Sequence, residues 1–393
     1  MARVDHWPPT PAPFGAFRHL SRAVRAAVDV PVATVGRITT LELAEEILAS
    51  GDADLVGMVR AHIANPRLLP KARERTPKTV RPCIGANVCI NSLLDHQPLT
   101  CMVNPELGRP LSAIDTPIGA SRAAIVVGAG PAGLEAARRL ALRGFGTTLI
   151  EADDHLGGKM ARWCETPSRR EFRKILRWWG DELDRLGVSV ETGTPAEAGD
   201  LVRRQPSLVL LATGSSPVAD PGMAGGIASY GPYDAPAAGG HVLVRDEVGR
   251  LAAMLTAERL AEGWNKVTLV TSALAPGEGE GITTAYSMIR ALGRRGVEIV
   301  DRARIGSASG RTVRLVGVFD ERRPDIEEVD AIVSLLGSAS HVPLLAELRA
   351  ARIETHLVGD AKLPRDVTAA VKDAATTAWS LSAANATDRA SAC

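Results

Sequence analysis

A glycine-rich turn between a predicted strand and a predicted helix places the strongest constraint on the fold. The sequence VVGAGPAG carries Gly128, Gly130 and Gly133 in the spacing G-x-G-x-x-G. It follows an apolar strand over 124–127 and opens a helix over 134–142. Glycine at these positions permits a tight turn, close approach of a pyrophosphate to the backbone, and close helix–strand packing. We therefore predict a Rossmann-type α/β domain with a pyrophosphate site at this turn.

An acidic residue follows where such a domain needs one. The next predicted strand, TTLIE, ends at Glu151, which lies 18 residues beyond Gly133. A carboxylate at this place can accept hydrogen bonds from an adenosine ribose. The N-terminus of the helix after the glycine turn offers free N–H groups and a positive dipole end to the phosphates.

A second strand–helix–strand pattern occupies residues 241–273, HVLVRDEVGRLAAMLTAERLAEGWNKVTLVTSA. Its turn keeps only Gly249, and Asp246 and Glu247 stand where a pyrophosphate would come. Carboxylates repel a phosphate, and their side chains obstruct its approach to the backbone. We predict a second nucleotide-type fold here that does not bind NAD(P).

The first 70 residues alternate helix, strand, helix, strand and helix, which is typical of a parallel α/β unit. The predicted helix TTLELAEEILASG begins at Thr39 or Thr40 as N-cap and ends at Gly51. Two strands are too few to close an eight-stranded barrel. Residues 71–120 show little periodicity, and we interpret them as an irregular connector around three cysteines.

Several motifs together resemble the trimethylamine dehydrogenase / 2,4-dienoyl-CoA reductase family, the NADH:flavin oxidoreductases with C-terminal FAD/NAD-type domains. GAGPAGLEAARRLALRG and LIEADDHLGGKM resemble its flavin-binding domain, LLATGSSP its return strand, and HLVGDAKLPRDVTAAVKDA its closing motif. VRPCIGANVCI and PLTCMVNPELGRP resemble its iron–sulfur segment. VPVATVGRI and ADLVGMVRAHIANPRLLPKA resemble the last two strands of its FMN barrel. The resemblance covers nearly all of the chain, in the family's order.

The resemblance implies a domain order and a set of site residues. It implies an α/β fold with the last strands of a TIM-type barrel (1–75), an iron–sulfur loop (76–120), a Rossmann-type FAD/ADP-binding domain (121–237 and 346–393), and an inserted, degenerate NAD-type domain (238–345). The residues implied to bind FAD or ADP are Gly128, Gly130, Gly133, Glu151, Gly158, Thr213, Gly214, Gly359 and Asp360. Those implied to hold an FMN phosphate, if a barrel forms, are Gly36, Arg37, Gly57 and Arg60.

The cysteine segment matches the family's iron–sulfur pattern at three of four places. Cys83, Cys89 and Cys101 fit the first, third and fourth ligands, whereas Ala86 occupies the second. Four thiolates normally hold a [4Fe–4S] cluster, and a methyl group cannot ligate iron. The alternatives are a [4Fe–4S] cluster with a non-cysteine or exogenous ligand, a [3Fe–4S] cluster, zinc held with His96, or three buried thiols without metal.

The resemblance implies oxidative dehydrogenation or N-demethylation of a small methylated amine. Hydride would pass to FMN, and single electrons would pass through the cluster to an electron-transfer flavoprotein. The alternatives are an NAD(P)H-dependent enoate reductase and a non-catalytic nucleotide-binding scaffold. No catalytic residue is assigned, because only the last barrel strands match. We expect either a fragment of a longer enzyme or a subunit whose partner completes the barrel, since an incomplete barrel exposes strand edges and favours oligomers.

Composition and the absence of certain motifs argue against several classes of function. A formal net charge of +1 argues against nucleic-acid or membrane-surface binding driven by bulk charge. No apolar run approaches the ~20 residues that span a bilayer. The first residues have no apolar signal segment, so we expect a cytoplasmic protein. The eight histidines form no H-E-x-x-H pair, and no G-x-S-x-G motif occurs, which argues against a zinc hydrolase and an α/β-hydrolase.

Overall fold

The computed structural model describes residues 6–109, 117, 122–220, 227–234, 238–319 and 323–381. The elements before the first large sheet are α1 (Arg18–Arg25), β1 (Ala33–Thr34), α2 (Leu41–Ala49), β2 (Leu55–Val56), α3 (Val59–Ala64), α4 (Leu68–Arg73) and α5 (Val88–Leu94). The elements from 123 to 217 are β3 (Ala123–Val127), α6 (Pro131–Leu142), β4 (Gly146–Ile150), α7 (Lys159–Trp163), α8 (Arg173–Arg185), β5 (Ser189–Glu191), α9 (Ala198–Arg203), β6 (Leu208–Leu211) and β7 (Ser215–Pro217).

The second half of the chain continues the alternation of strands and helices. Its elements are β8 (Ala228–Tyr230), β9 (Gly239–Asp246), α10 (Leu251–Leu260), β10 (Trp264–Thr271), α11 (Ile282–Arg294), β11 (Glu298–Val300), β12 (Ala303–Ser309), β13 (Thr312–Gly317), β14 (Ala331–Leu335), β15 (Ser338–Ser340), α12 (Leu345–Ala350), β16 (Thr355–Leu357) and α13 (Val367–Ser380). Short 3₁₀ turns lie at Pro77–Thr79, Pro167–Phe172, Glu278–Glu280 and Gly359–Ala361.

The N-terminal unit is a small parallel pair of strands with its own core. β1 and β2 pair in parallel with Ala33 opposite Leu55. Apolar side chains that include Ile47 and Leu68 are buried beneath them. Thr40 is the N-cap of α2, where its hydroxyl oxygen accepts from the N–H of Leu43 at 3.3 Å.

The first large sheet is wholly parallel, with the order β16–β6–β3–β4–β5. Its central strands are apolar throughout, because helices cover both faces of a parallel sheet. α6 packs on one face with α8 and α13, and α9 and α12 cover the other face. The carboxyl ends of β3, β4 and β6 therefore meet at one edge, where ligands bind in open α/β sheets.

The second large sheet is also parallel, with the order β11–β10–β9–β14–β8. The hairpin β12–β13 covers part of one face, and α10 and α11 cover the other. Strand β8 pairs with β14 and so belongs to this sheet, whereas the sequence-based division placed residues up to 237 in the first domain. The antiparallel pair β7–β15 connects the first domain, built on the first large sheet, with the second domain, built on the second large sheet.

The segment 71–120 is more regular than the sequence indicated. α5 carries Cys89 and begins after Asn87, whose φ of 56° is left-handed. This helix has only seven residues, which is too short for an apolar period to show in the sequence. The prediction of an irregular connector was therefore wrong for Val88–Leu94, and most of 110–120 lies outside the described residues.

Within the described ranges, no helix combines the length and the apolar character that crossing a membrane requires.

Candidate functional site: a dinucleotide cavity and a cysteine cavity

The three glycines of the first turn are required for different reasons. Gly128 has a φ of +98°, and a Cβ there would lie 2.5 Å from the carbonyl oxygen of Ala212. A Cβ on Gly133 would lie 1.7 Å from the carbonyl oxygen of Gly128. A Cβ on Gly130 would meet nothing within 4 Å. Gly128 and Gly133 are therefore needed by the protein itself, and Gly130 leaves open space beside the start of α6.

Glu151 is held beside this turn at the end of β4. One of its carboxylate oxygens accepts from the N–H of Ala129 at 2.5 Å, and the other accepts from the N–H of Asp153 at 3.0 Å. These two bonds fix the carboxylate at the mouth of the glycine loop. The contact of Glu151 with a ribose hydroxyl stays a prediction.

A cavity of about 550 Å³ joins the predicted residues. The predicted residues that line it are Gly128, Gly130, Glu151, Gly158, Thr213, Gly214 and Asp360. Gly133 and Gly359 instead support its wall, and a Cβ on Gly359 would lie 2.6 Å from the Cβ of Ala132. The volume lies within the range of small-molecule and cofactor sites.

Two polar residues that the sequence did not single out also line this cavity. Lys159 Nζ donates to Ser215 Oγ at 2.6 Å, and Ser215 Oγ donates to Asp360 Oδ2 at 2.9 Å. Burial lowers the pKa of Lys159, and the nearby Asp360 carboxylate partly offsets this effect. Lys159 directly follows Gly158, which packs against Gly130, so this group lies next to the glycine loop. Its position after a Gly-Gly pair was the available sequence signal.

Replacing Gly130 with alanine separates ligand contact from protein packing. The residue has an ordinary φ of −69° and open space around its Cβ position, so the variant should melt within about 1 °C of wild type. Its methyl group would occupy the space of a close pyrophosphate, and we expect ADP affinity to fall about tenfold or more. Calorimetric titration with ADP and thermal unfolding measure the two effects. Unchanged ADP affinity would contradict this placement of the phosphates.

The turn of the second nucleotide fold binds the protein's own carboxylates. Asp246 Oδ1 accepts from the N–H groups of Val248 at 3.0 Å and Gly249 at 2.8 Å. Its other oxygen accepts from Thr271 Oγ1 at 3.0 Å, and burial raises its pKa. Glu280 Oε1 accepts from the N–H of Leu251 at the start of α10, at 3.1 Å. Three backbone N–H groups of this turn, those of Val248, Gly249 and Leu251, are thus already occupied.

The four residues predicted to grip an FMN phosphate have other partners within the described residues. Arg37 is buried and forms an ion pair with Glu171 of the first domain. Arg60 Nη1 donates to the carbonyl oxygen of Pro8 at 2.9 Å and also to Asn87 Oδ1. The glycines serve packing, because a Cβ would meet Phe17 at Gly36 (2.5 Å) and Val35 at Gly57 (2.6 Å). The Arg37 guanidinium is therefore already paired with a carboxylate, and its position does not support binding of an FMN phosphate.

The three cysteines of the predicted iron–sulfur loop line one small cavity with Ala86. The cavity measures about 20 Å³, close to the space of one water, so a cluster would require the loop to open. The backbone N–H group of Gly85 acts to lower the pKa of Cys83, that of Ile90 the pKa of Cys89, and those of Val103 and Asn104 the pKa of Cys101.

The thiols of this cavity affect one another's ionisation. Burial raises the pKa of all three, and burial together with the other two thiols raises the pKa of Cys89 to about 12. The thiols are therefore protonated at neutral pH unless a cation offsets the cost of ionising one buried and two partly buried thiols. The three cysteines line one cavity, but they do not form a metal-holding group within the described residues, and Ala86 offers no fourth ligand.

A single-metal site finds no support in the described part of the chain. No group of three or more His, Cys, Asp or Glu side chains there is placed to hold one metal ion. His96, the proposed fourth zinc ligand, is absent from the residues that line the cysteine cavity.

Two family models match this chain. Residues 5–79 match the NADH:flavin oxidoreductase / NADH oxidase family, and residues 126–181 match the NAD(P)-binding Rossmann-like domain. The N,N-dimethylglycine/sarcosine dehydrogenase of Chromohalobacter salexigens is 34% identical over 307 residues, which are 73% of this chain and 43% of that protein. The predicted family is confirmed.

Two further similar proteins match nearly the whole chain. The metal reductase of Desulforamulus reducens is 30% identical over 399 residues, covering 92% of this chain and 59% of that protein. The solved 6-hydroxypseudooxynicotine amine oxidase of Pseudomonas geniculata N1 superimposes with a TM-score of 0.87 at 26% identity, covering 93% of this chain and 59% of that one. The chain thus spans about half the length of these relatives.

Proposed function

We propose that this chain is the nucleotide-binding and electron-relay part of a flavin-dependent oxidoreductase that acts on a small methylated amine. The observation that carries the proposal is the cavity that joins Gly130, Glu151 and Asp360 at the carboxyl edge of the first sheet. The names of the dimethylglycine/sarcosine dehydrogenase and the amine oxidase support an amine as substrate.

The cavity suits the adenosine diphosphate group that FAD and ADP share. Glu151 would accept from the ribose, and the open space at Gly130 would admit the pyrophosphate to the N-terminus of α6. The group Lys159–Ser215–Asp360 would then contact whatever extends beyond the pyrophosphate. FAD would extend past this group, whereas ADP would end at it.

The proposed relay is an iron–sulfur cluster held by Cys83, Cys89 and Cys101. Such a cluster supplies one-electron transfer, and N–H donors to its sulfurs tune the reduction potential. In this chain such donors would be the backbone N–H groups of Gly85, Ile90, Val103 and Asn104. The electron acceptor proposed from the family resemblance is an electron-transfer flavoprotein, in a cytoplasmic setting.

FMN and the amine would bind in a completed barrel, which this chain does not form within its described residues. Exposed apolar side chains flank the two-stranded sheet, with Val35, Leu55 and Val59 exposed by 56%, 60% and 68%. We propose that further barrel strands, in the same or a partner polypeptide, cover this surface.

The enoate reductase alternative requires NAD(P)H at the second nucleotide fold. Asp246 and Glu280 occupy the backbone donors of that turn, which argues against it. The scaffold alternative predicts a nucleotide without redox-active groups.

Optical spectroscopy and mass spectrometry of the purified chain test the proposal. We expect flavin bands near ~450 nm, a broad iron–sulfur shoulder, and release of FAD or ADP on heat denaturation. Gly130→Ala is the matched control and should lose the nucleotide while remaining folded. A colourless chain that carries ADP would favour the scaffold, and one that binds neither nucleotide would overturn the proposal.

A further inference from the structure

A buried asparagine connects the cysteine loop to the second nucleotide fold. Asn91 lies on α5, two residues after Cys89, and its side chain is buried. Its Nδ2 donates to the carbonyl oxygen of Glu280 at 3.0 Å and to Thr284 Oγ1 at 3.3 Å. Its Oδ1 accepts from Thr283 Oγ1 at 2.7 Å and from the Thr283 N–H at 3.3 Å. All four hydrogen bonds of the Asn91 side-chain amide thus go to residues 280–284, at the start of α11.

Through these contacts the Asn91 side chain supplies the capping acceptor for α11, a helix distant in sequence. The N-cap position of α11 itself is Gly281, which has no side chain to accept from Thr283. A Cβ on Gly281 would lie 2.5 Å from Asn91 Cγ, and its φ of +78° also favours glycine. Glycine here therefore leaves room for Asn91 to satisfy the helix end.

The same helix end also contacts the residue at the missing ligand position. Thr284 Oγ1 donates to the carbonyl oxygen of Ala86 at 3.4 Å. Asn91 and Thr284 thus hold both sides of the short segment from Ala86 to Cys89. Both contacts join residues separated by more than 180 positions, so they depend on how the two domains are placed.

The segment that Asn91 contacts also packs against the turn at 246–251, whose N–H groups are bound by Asp246 and Glu280. Glu280, whose carbonyl oxygen accepts from Asn91, uses its carboxylate to accept from the N–H of Leu251. The N–H of Gly279 donates to the carbonyl oxygen of Gly249 at 3.3 Å. The turn at 246–251, which would hold a phosphate in a working dinucleotide fold, is therefore hydrogen-bonded to residues 279–280, next to the residues that bind Asn91.

We propose that the second nucleotide fold is the surface against which residues 83–101, the cysteine loop, pack. Asn91 is the residue that positions Cys89 in this contact. In this role the fold needs no nucleotide, because Asp246 and Glu280 satisfy its turn from within the chain. The proposal concerns the thiols themselves and goes beyond the proposed electron relay.

The test is the alkylation rate of individual cysteines in the 393-residue chain. The chain is first reduced, the reductant is removed, and anaerobic N-ethylmaleimide labelling with chelator present is followed by peptide mass spectrometry. We expect Asn91→Ala to raise the rate at Cys89 about tenfold, because α5 can then open without breaking the rest of the fold. Cys164 is buried in the first domain, 1% exposed, and its rate should stay at the wild-type value.

Three further variants separate positioning from general destabilisation. Gln97→Ala, an exposed change just after the same helix, should alter neither rate. Thr283→Val should raise the Cys89 rate, and combining it with Asn91→Ala should add little, because both changes remove one shared contact. An unchanged Cys89 rate in Asn91→Ala, or an equal rise at Cys89 and Cys164, would overturn the proposal. The labelling needs no iron, so absence of the proposed cluster would leave this result interpretable.

Discussion

Replacing Gly133 with alanine is expected to abolish nucleotide binding and to lower the free energy of unfolding by about 3 kcal/mol. The added methyl group would lie 1.7 Å from the carbonyl oxygen of Gly128, and backbone atoms cannot yield as a flexible side chain can. The turn must shift as a whole, which moves α6 away from the phosphate position. Thermal or denaturant unfolding and titration with ADP measure the two losses.

Two other glycines provide matched controls for this change. Gly130→Ala should lose affinity but keep stability, since open space surrounds its Cβ position. Gly293 lies within α11, also with nothing within 4 Å, so alanine there should preserve ADP affinity. A Gly133→Ala protein that binds ADP with wild-type affinity would contradict the assignment of this turn as the phosphate site.

The first dinucleotide fold was predictable because its determinants are local. The glycine turn, its flanking strand and helix, and Glu151 all lie within 124–151, and each has a residue type that the geometry requires. The structure brings Glu151 to the glycine loop through the N–H of Ala129, as the motif indicated.

The features that the sequence did not reveal depend on contacts between distant segments. Strand β8 is three residues long and joins its sheet through β14, about 100 residues later. Arg37 is paired with Glu171, 134 positions away, so its neighbours in sequence could not show that its charge is already used. The role of Asn91 likewise appears only when α5 meets α11.

Replacing Ala86 with cysteine is expected to raise the iron content after anaerobic reconstitution by about one iron per chain. Ala86 lines the same cavity as Cys83, Cys89 and Cys101, so a thiolate there would supply the missing fourth ligand. Cluster stability towards chelator should rise as well, because a fourth thiolate would give the added iron a protein ligand. Elemental analysis and electron paramagnetic resonance measure the iron content and the cluster type.

Two other cysteine substitutions serve as controls for an increase in iron content. Ala23→Cys adds a thiol on the exposed face of α1 and should leave the iron content at the wild-type value. Cys89→Ser removes one of the three proposed ligands and should bring the content close to zero. Iron near zero in both wild type and Ala86→Cys would identify the loop as three ordinary buried thiols, whose raised pKa values already favour the protonated form. Four irons in the wild type would instead require a fourth ligand from outside this loop, because the Ala86 methyl group cannot bind iron.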